Sequence, residues 1–238
     1  MKLALIVIFL TLAIGCTKET EYNLLKGNLK GVVYGDGNNP FHVLLEGNNL
    51  SITTTTDDLG QYLFTGLTTG TYNLKFTREG FGTHYIYGFP FIGGDSVSET
   101  VPPVSMAQLP NASESNLVIT MTVDTIQNQF YKYIDKIINW TAKFSPDNTL
   151  VTHYIAYLSS DANVSYKNYK QHYFVEEGFN IYLNDYDTIL FKKNTTIYMV
   201  IYPYYILGSK YPDMNTGCLV YSGIQAKGAS NVASVIVK

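Results

Sequence analysis

The chain has 238 residues, a formal net charge of -3, and a composition that is 46% hydrophobic and 15% charged. These values describe a folded protein long enough for two domains, and they exclude a disordered chain. The net negative charge gives no basis for a nucleic-acid partner, because a phosphate backbone requires a basic surface. The 21 tyrosines and 12 phenylalanines favour strands over helices, so we expect an all-β protein.

The first 16 residues, MKLALIVIFLTLAIGC, have the pattern of an export signal. Lys2 is the positive end, and the apolar run from Leu3 to Ile14 is shorter than the roughly 20 residues that a membrane-spanning helix requires. The ending AIGC resembles the lipobox of bacterial lipoproteins, although Ala13 replaces the commoner leucine. The resemblance implies removal of residues 1–15 and acylation of Cys16, with palmitate among the chains, which anchors a protein stably in a membrane. An ordinary signal peptide is the alternative.

Residues 16–26 are polar and are predicted to form a tether between the anchor and the first domain. Thr17 after the cysteine resembles the sorting signal for the outer membrane, where aspartate would be the contrary signal. The run KETE that begins at Lys18 resembles signals that place some lipoproteins on the cell surface. We therefore expect a lipid-anchored, surface-exposed protein of the outer membrane, with the periplasmic face as the alternative.

Residues 27–109 contain short apolar runs separated by turn residues. In GQYLF and TYNLKF apolar and polar side chains alternate, which predicts half-buried strands with Tyr62 and Phe64 on one inner face. LKGVVYG and FHVLLEG are two further runs, and four short strands with frequent turns predict an antiparallel β-sandwich. The run TDDLGQYLF at residues 56–64, followed by GL and GTY, resembles the carboxypeptidase regulatory-like domain. That resemblance implies a transthyretin-like β-sandwich.

The turn that precedes GQYLF is predicted to be structural. Asp57 or Asp58 is placed to hydrogen-bond the turn backbone, and Gly60 is able to adopt a positive φ. A calcium site at the two aspartates is the alternative, although calcium requires six or more oxygen ligands and only two carboxylates cluster here.

A linker is predicted at residues 110–116, and a second sandwich at residues 117–238. NLVITMTVD and KIINWTAKF alternate like strands, whereas FYKYIDK between them fits either a strand or a short helix. An inward Trp140 early in this half and YMVIY late in it resemble a fibronectin type III or immunoglobulin-like sandwich. Cys218 is the one cysteine left after acylation of Cys16, and we expect it to be a small buried side chain on a late strand.

The sequence holds no motif of catalysis or metal binding that we recognise. Its histidines are scattered without the spacing of metal ligands: His42, His84, His153 and His172. Regulatory-like domains also accompany metallocarboxypeptidases, but as accessories to a catalytic domain that has no counterpart here. We therefore expect no enzymatic activity and no cofactor.

Two aromatic clusters are the candidates for ligand binding. In HYIYGFPFIGG four aromatic side chains alternate and are predicted to share one face, with Tyr85 and Tyr87 among them. In IYPYYILGSKYPD the candidates Tyr204, Tyr205 and Tyr211 lie beside proline and glycine, which places some of them on a loop. Aromatic rings suit the apolar face of a sugar or a protein groove. The alternative is that these tyrosines belong to the core and the sheet surfaces.

From these features we expect a non-catalytic lipoprotein of the outer membrane that acts as a ligand-binding accessory at the cell surface. The specific activity we expect is the capture of glycans for uptake. Its expected partners are the membrane, through Cys16, and a polysaccharide or an outer-membrane uptake receptor. The alternative is a structural or adhesive surface component that binds another protein, for example by strand addition at an open sheet edge.

Overall fold

The structure is a computed structural model that describes residues 25–94, 98–110, 117–127, 134–143, 153–176, 181–183, 190–192, 194–205 and 208–237. The leader, the predicted acylation at Cys16 and most of the predicted linker lie outside these residues. Within them the protein is all-β, as the composition predicts, with seventeen strands and a 3-10 turn at Ala226–Gly228. No helix of the described part of the chain is long and apolar enough to cross a membrane.

The N-terminal sandwich consists of two sheets. Its strands are β1 (Lys26–Tyr34), β2 (His42–Gly47), β3 (Leu50–Thr55), β4 (Gln61–Thr68), β5 (Gly70–Thr77), β6 (His84–Phe91), β7 (Ser98–Thr100) and β8 (Val104–Ser105). One sheet has the order β4-β1-β7 with β8 also on β1, and the other has the order β3-β2-β5-β6. Pairing is antiparallel except that β7 and β8 run parallel to β1, an exception that alternation alone does not reveal. β1 begins at Lys26, so the last residue of the predicted tether is already in the sheet.

The core of the N-terminal sandwich lies between these sheets and follows the predicted alternation. Tyr62 and Phe64 of β4 are buried, and they face Tyr72 and Phe76 of β5. Tyr62 contacts Phe76 edge to face, with ring centroids 5.8 Å apart. Edge-to-face contacts suit the quadrupoles of aromatic rings, so the aromatic richness of the sequence is used here to fill a core.

The C-terminal sandwich is also built from two main sheets. Its strands are β9 (Val118–Gln127), β10 (Ile134–Lys143), β11 (Tyr154–Ser159), β12 (Gln171–Val175), β13 (Ile181–Leu183), β14 (Thr196–Pro203), β15 (Lys210–Pro212), β16 (Leu219–Tyr221) and β17 (Ala233–Ile236). The orders are β13-β10-β9 and β12-β11-β14-β17, and β15 pairs with β16 as a separate hairpin. The segment FYKYIDK, for which strand and helix were both open, enters β10 at Ile134, and its earlier residues lie outside the described range.

Strand β11 is buried along its whole length because both of its faces are covered. Ala156 and Leu158 belong to the core between the two main sheets, together with Trp140, which is inward as predicted. Ile155 and Tyr157 point the other way, into a second cluster beneath the loop at residues 160–170 and the β15–β16 hairpin. A strand covered on both sides shows a continuous apolar run rather than alternation, which explains the sequence YIAYLS. Cys218 is half-buried and directly precedes β16, so the expectation of a buried residue on a strand is wrong in detail.

The turn between β3 and β4 is organised by one aspartate. Asp57 Oδ1 accepts hydrogen bonds from the backbone N–H groups of Leu59 (2.9 Å) and Gln61 (2.8 Å). Gly60 has φ +75°, and a Cβ there would lie 2.2 Å from the carbonyl oxygen of Val33, so both the backbone angle and the space require glycine. The neighbouring Asp58 makes no such bond in the described structure and is exposed.

We predict that Asp57→Ala lowers the free energy of unfolding by about 1 kcal/mol, because two backbone donors lose a charged acceptor at an exposed turn. Urea denaturation measures this loss. Asp58→Ala is the matched control and is expected to change stability by less than about 0.5 kcal/mol. Equal losses in the two variants would show that the side chain of Asp57 does not hold the turn.

Candidate functional site

The first aromatic cluster is divided between two faces of β6. His84 and Ile86 point inward, but the register shifts opposite Tyr72 and Leu74 of β5. Gly88 has φ +64° at this bulge, and its N–H donates a hydrogen bond to the side-chain Oδ1 of Asn73 (2.8 Å). The extra residue reverses the alternation. The prediction that four aromatic side chains share one face is therefore wrong.

Beyond the bulge, two phenylalanines of β6 face the N-terminal core, where Phe91 is buried and Phe89 is half-buried. Before the bulge, Tyr85 and Tyr87 stand on the outer face of the sheet. Their rings are parallel to within 5°, with centroids 5.3 Å apart, and both side chains are half-exposed. Offset stacking of this kind holds two rings as one rigid aromatic surface.

The second aromatic cluster meets the first across the junction of the two sandwiches. Tyr211 of β15 contacts Tyr85 edge to face at 5.2 Å and Tyr87 at 6.4 Å. Tyr211 is buried and rests on His84, with ring centroids 5.4 Å apart. We call Tyr85, Tyr87 and Tyr211 the tyrosine platform. Three of the five tyrosines that the sequence singled out are thus brought together from segments more than 120 residues apart.

The other two candidate tyrosines lie elsewhere. Tyr204 is 5% exposed and packs against Phe174 and Tyr221 in the outer aromatic cluster of the C-terminal sandwich. Tyr205 follows it and is 39% exposed, but neither residue contacts the tyrosine platform through a described ring contact. An exposed surface made of Tyr204, Tyr205 and Tyr211 is therefore absent from the described structure, because two of the three side chains are buried. For Tyr204 the structure therefore agrees with the alternative stated above, that these tyrosines belong to the core.

Polar groups surround the tyrosine platform. Lys75 of β5 lies opposite Tyr85 in the sheet, with its Nζ 5.8 Å from the ring centroid. Beside the platform, Lys167 Nζ and Asp213 Oδ2 form an ion pair at 3.6 Å. Burial raises the pKa of Asp213, but hydrogen bonds from the backbone of Thr216 and Asn215, together with Lys167, outweigh it and hold the pKa below its usual range. These charged residues were not predicted from the sequence as part of a site, because only cross-strand register and folding of the hairpin bring them to the tyrosines.

The phenol groups of Tyr87 and Tyr211 stay protonated at neutral pH, because the pKa of each is raised. Burial raises the pKa of Tyr211, and the neighbouring hydroxyls of Tyr85, Tyr166 and Tyr87 raise it further. Burial also raises the pKa of Tyr87, with smaller contributions from Tyr85 and Asp213. A protonated phenol is both donor and acceptor of hydrogen bonds, so the platform combines flat apolar rings with neutral polar edges.

Hydrogen bonds between the sandwiches fix the position of the platform. Ser105 and Ser209 exchange two bonds, from Ser209 N to Ser105 O and from Ser105 N to Ser209 Oγ, both 2.8 Å. Gln225 Nε2 donates to the carbonyl oxygen of Pro110 (3.2 Å). A cleft of about 260 Å³ lies at this junction, with Tyr166 and Tyr211 on one side and Phe81 on another. Tyr211 is the platform residue that lines this cleft, and Tyr85 and Tyr87 are not among its lining residues.

A second cleft, of about 500 Å³, is lined by Arg78, by the loop after β1 and by the turn between β3 and β4. The guanidinium carbon of Arg78 is 4.0 Å and 3.6 Å from the ring centroids of Phe41 and Phe81. Its nitrogens donate to the carbonyl oxygens of Asn39 (2.9 Å) and Asp36, and burial lowers its pKa although Asp36 opposes the shift. These donors are committed to the loop after β1, so Arg78 organises that loop and is a weaker candidate for ligand binding.

The calcium alternative at Asp57 and Asp58 receives no support from geometry. One oxygen of Asp57 is already bonded to two backbone N–H groups, and the described residues contain no group of three or more His, Cys, Asp or Glu side chains placed to hold a metal ion. The four histidines remain apart. The Nε2 of His172 lies 2.9 Å from the hydroxyl of Tyr221.

No family model and no curated protein matches this sequence. Among solved structures, the chain is similar to a candidate carbohydrate binding protein from Bacteroides uniformis, with 9% identity, 88% of this chain and 98% of that chain covered, and a TM-score of 0.28. It is also similar to DUF3823 family proteins from Parabacteroides merdae and Bacteroides ovatus, each with 13% identity, 90% and 100% coverage, and TM-scores of 0.27 and 0.26. TM-scores of this size carry no inference about activity or ligand.

Proposed function

We propose that this protein is a non-catalytic, ligand-binding surface accessory whose ligand is a glycan held on the tyrosine platform. The observation that carries the proposal is the parallel, partly exposed stack of Tyr85 and Tyr87, which the buried ring of Tyr211 contacts edge to face. The C–H face of a sugar ring packs on flat aromatic rings, while the phenol and lysine groups around them bind hydroxyls.

The same proposal includes the location of the protein. Acylation of Cys16 would tether it to the outer membrane, on the cell surface or on the periplasmic face, and an uptake receptor in that membrane is the proposed partner. This part is supported by the AIGC sequence and the polar tether alone. We also propose that the first sandwich is a carboxypeptidase regulatory-like domain and that the second is of the fibronectin type III or immunoglobulin-like type. The sequence resemblances support both assignments.

The test uses the chain from Thr17 to Lys238 in affinity electrophoresis against a broad set of polysaccharides. We expect retardation by at least one polysaccharide, and we expect the double variant Tyr85→Ala/Tyr87→Ala to lose most of it, at least tenfold in affinity. Each stacked ring contributes about 1 kcal/mol or more to such contacts, and the variant removes both. Both side chains are half-exposed on the outside of a sheet, so the variant is expected to fold.

The control variant is Tyr34→Ala. Tyr34 is also an exposed tyrosine of the N-terminal sandwich, at 56% exposure, but it lies in the other sheet. It is expected to leave the retardation unchanged. If Tyr34→Ala and the double variant weaken binding equally, the ligand does not lie on the platform.

A structural or adhesive role is the second candidate, and β3 favours it. Among the described strands, β3 (Leu50–Thr55) pairs with β2 alone, so its other edge offers backbone groups for strand addition by a partner. Absence of retardation by every polysaccharide would favour this role over glycan capture. Cross-linking from a photoreactive residue at position 53, on the outer face of β3, would then identify the protein that docks there.

A further inference from the structure

We infer that the glycan taken by the tyrosine platform is acidic, and that Lys75 binds its carboxylate groups. The inference rests on the proposed glycan-binding function and names the chemical class of the ligand at the same site. It depends on three features of the described structure: the position of Lys75 in the sheet, the absence of a described carboxylate bound to it, and the charges at the opposite side of the platform.

The position of Lys75 follows from strand register. On the outer face of the sheet it lies between Leu44 of β2 and Tyr85 of β6, its two antiparallel partners. Neighbouring strands are about 4.8 Å apart, so Leu44, Lys75 and Tyr85 form one continuous row. Lys75 is half-buried by these neighbours, and its Nζ lies 5.8 Å from the ring centroid of Tyr85. An ammonium held beside an aromatic ring is placed to meet a charged group on a sugar that packs on that ring.

The charge of Lys75 is not neutralised within the part of the chain that the structure describes. No described carboxylate forms an ion pair with it, whereas Lys167 and Asp213 do pair at 3.6 Å. The nearest acid by register is Glu46, opposite Asn73, which is two residues from Lys75 along β5. Diagonal neighbours of this kind are about 7–8 Å apart, a distance that two long side chains are able to span. No ion pair between Glu46 and Lys75 is found among the described residues, however.

The opposite side of the platform adds no free negative charge. Asp213 is bound to Lys167 and accepts bonds from the backbone of Asn215 (3.0 Å) and Thr216 (3.1 Å), so its carboxylate is occupied. At the platform the charges of Lys167 and Asp213 cancel within their ion pair, which leaves the charge of Lys75 beside Tyr85 uncancelled, although the whole chain carries -3. A carboxylated sugar matches this distribution, because a charge-assisted hydrogen bond is about twice as strong as a neutral one.

The experiment measures the affinity of the chain from Thr17 to Lys238 for two matched pairs of polymers by calorimetry. The pairs are polygalacturonate with its methyl ester, and carboxymethylcellulose with hydroxyethylcellulose. We expect binding to the acidic member of at least one pair to be about tenfold tighter than to its neutral partner. We expect 0.5 M salt to reduce that preference, because the Debye length falls to about 4 Å.

Three variants assign the preference to a residue. Lys75→Gln keeps the length and polarity of the side chain and is expected to abolish the acidic preference, whereas Lys75→Arg is expected to retain it. Lys30→Gln removes an exposed lysine of β1 in the other sheet and is expected to change nothing. Circular dichroism of each variant checks folding, which an outward-facing substitution leaves intact.

Each outcome decides between the inference and the proposed function. One outcome is equal binding to the acidic and neutral members of a pair, with the binding lost in Tyr85→Ala/Tyr87→Ala and kept in Lys75→Gln. This outcome overturns the inference that the ligand is acidic and leaves glycan capture in place. Acidic preference that survives Lys75→Gln overturns the role of Lys75. Failure to bind any of the four polymers or any polysaccharide of the wider set overturns both.

Discussion

Replacing Gly82 with alanine is expected to break the junction between the two sandwiches and to lower the free energy of unfolding by about 3 kcal/mol or more. A Cβ on Gly82 would lie 1.5 Å from the carbonyl oxygen of Ser222 and 2.5 Å from its carbonyl carbon. Both are backbone atoms, and Ser222 is held by Ser209 through bonds of 3.0 Å from its N–H and 2.7 Å from its Oγ. Neither segment is free to yield as a flexible side chain would.

The effect of Gly82→Ala should extend to the ligand site, since the segment that contains Ser222 also pairs with β15 and positions Tyr211. Two measurements check it: thermal unfolding, and retention by any polysaccharide that the unaltered protein binds. Gly80→Ala is the matched control. Gly80 has φ +74° with nothing within 4 Å of the added Cβ, so only backbone strain of about 1 kcal/mol applies. Similar losses for the two variants would contradict a close approach of the sandwiches at Gly82.

Alternation in the sequence predicted strands wherever one face of a sheet is buried and the other exposed. Tyr62 and Phe64 of β4, like Tyr72 and Phe76 of β5, point into the core as their spacing requires. The prediction failed on β6 because the bulge at Gly88 inserts one residue and reverses the side chains that follow. A glycine within an aromatic run is compatible with either a regular strand or a bulge, so its local sequence does not decide between them.

The burial of Tyr204 and Tyr211 could not be predicted from the neighbouring sequence, for a different reason. Both lie beside proline or glycine, which predicts loops, yet both are covered by segments distant in the sequence: Tyr204 by β12 and β16, and Tyr211 by β6. For Lys75 the local sequence predicts correctly which face of the strand it lies on, but not its neighbours. The sequence identifies it as a polar residue on the outer face of a strand, but only the register of β5 against β6 places it beside Tyr85. Sites assembled across a junction are set by tertiary contacts rather than by any one segment.

Lowering the pH from 7 to 4 is expected to destabilise the protein through His84. This side chain is 5% exposed, lies between Phe76 and Tyr211, and has no described partner for its Nδ1. Burial lowers its pKa from 6.5 to about 4. The unfolded chain therefore binds a proton between pH 6.5 and 4 that the folded protein does not, and stability falls as the pH falls through this window. The full shift corresponds to about 3 kcal/mol, all of it present above pH 6.5 and lost by about pH 4.

Urea denaturation at pH values from 7.5 to 4.5 measures this loss, and His84→Phe isolates the part due to one residue. Phenylalanine keeps an aromatic ring between Phe76 and Tyr211 without a titratable nitrogen, so the variant should match the unaltered protein at pH 7.5 or exceed it. At pH 4.5 it should be more stable by about 2–3 kcal/mol.

The comparison of the two proteins also removes the contribution of His172. The pKa of His172 is lowered by burial and by Lys210, but its effect on stability is the same in both proteins and cancels in the difference. Parallel curves for His84→Phe and the unaltered protein would mean that His84 accepts a proton in the folded state without cost, and that the junction beneath Tyr211 admits water.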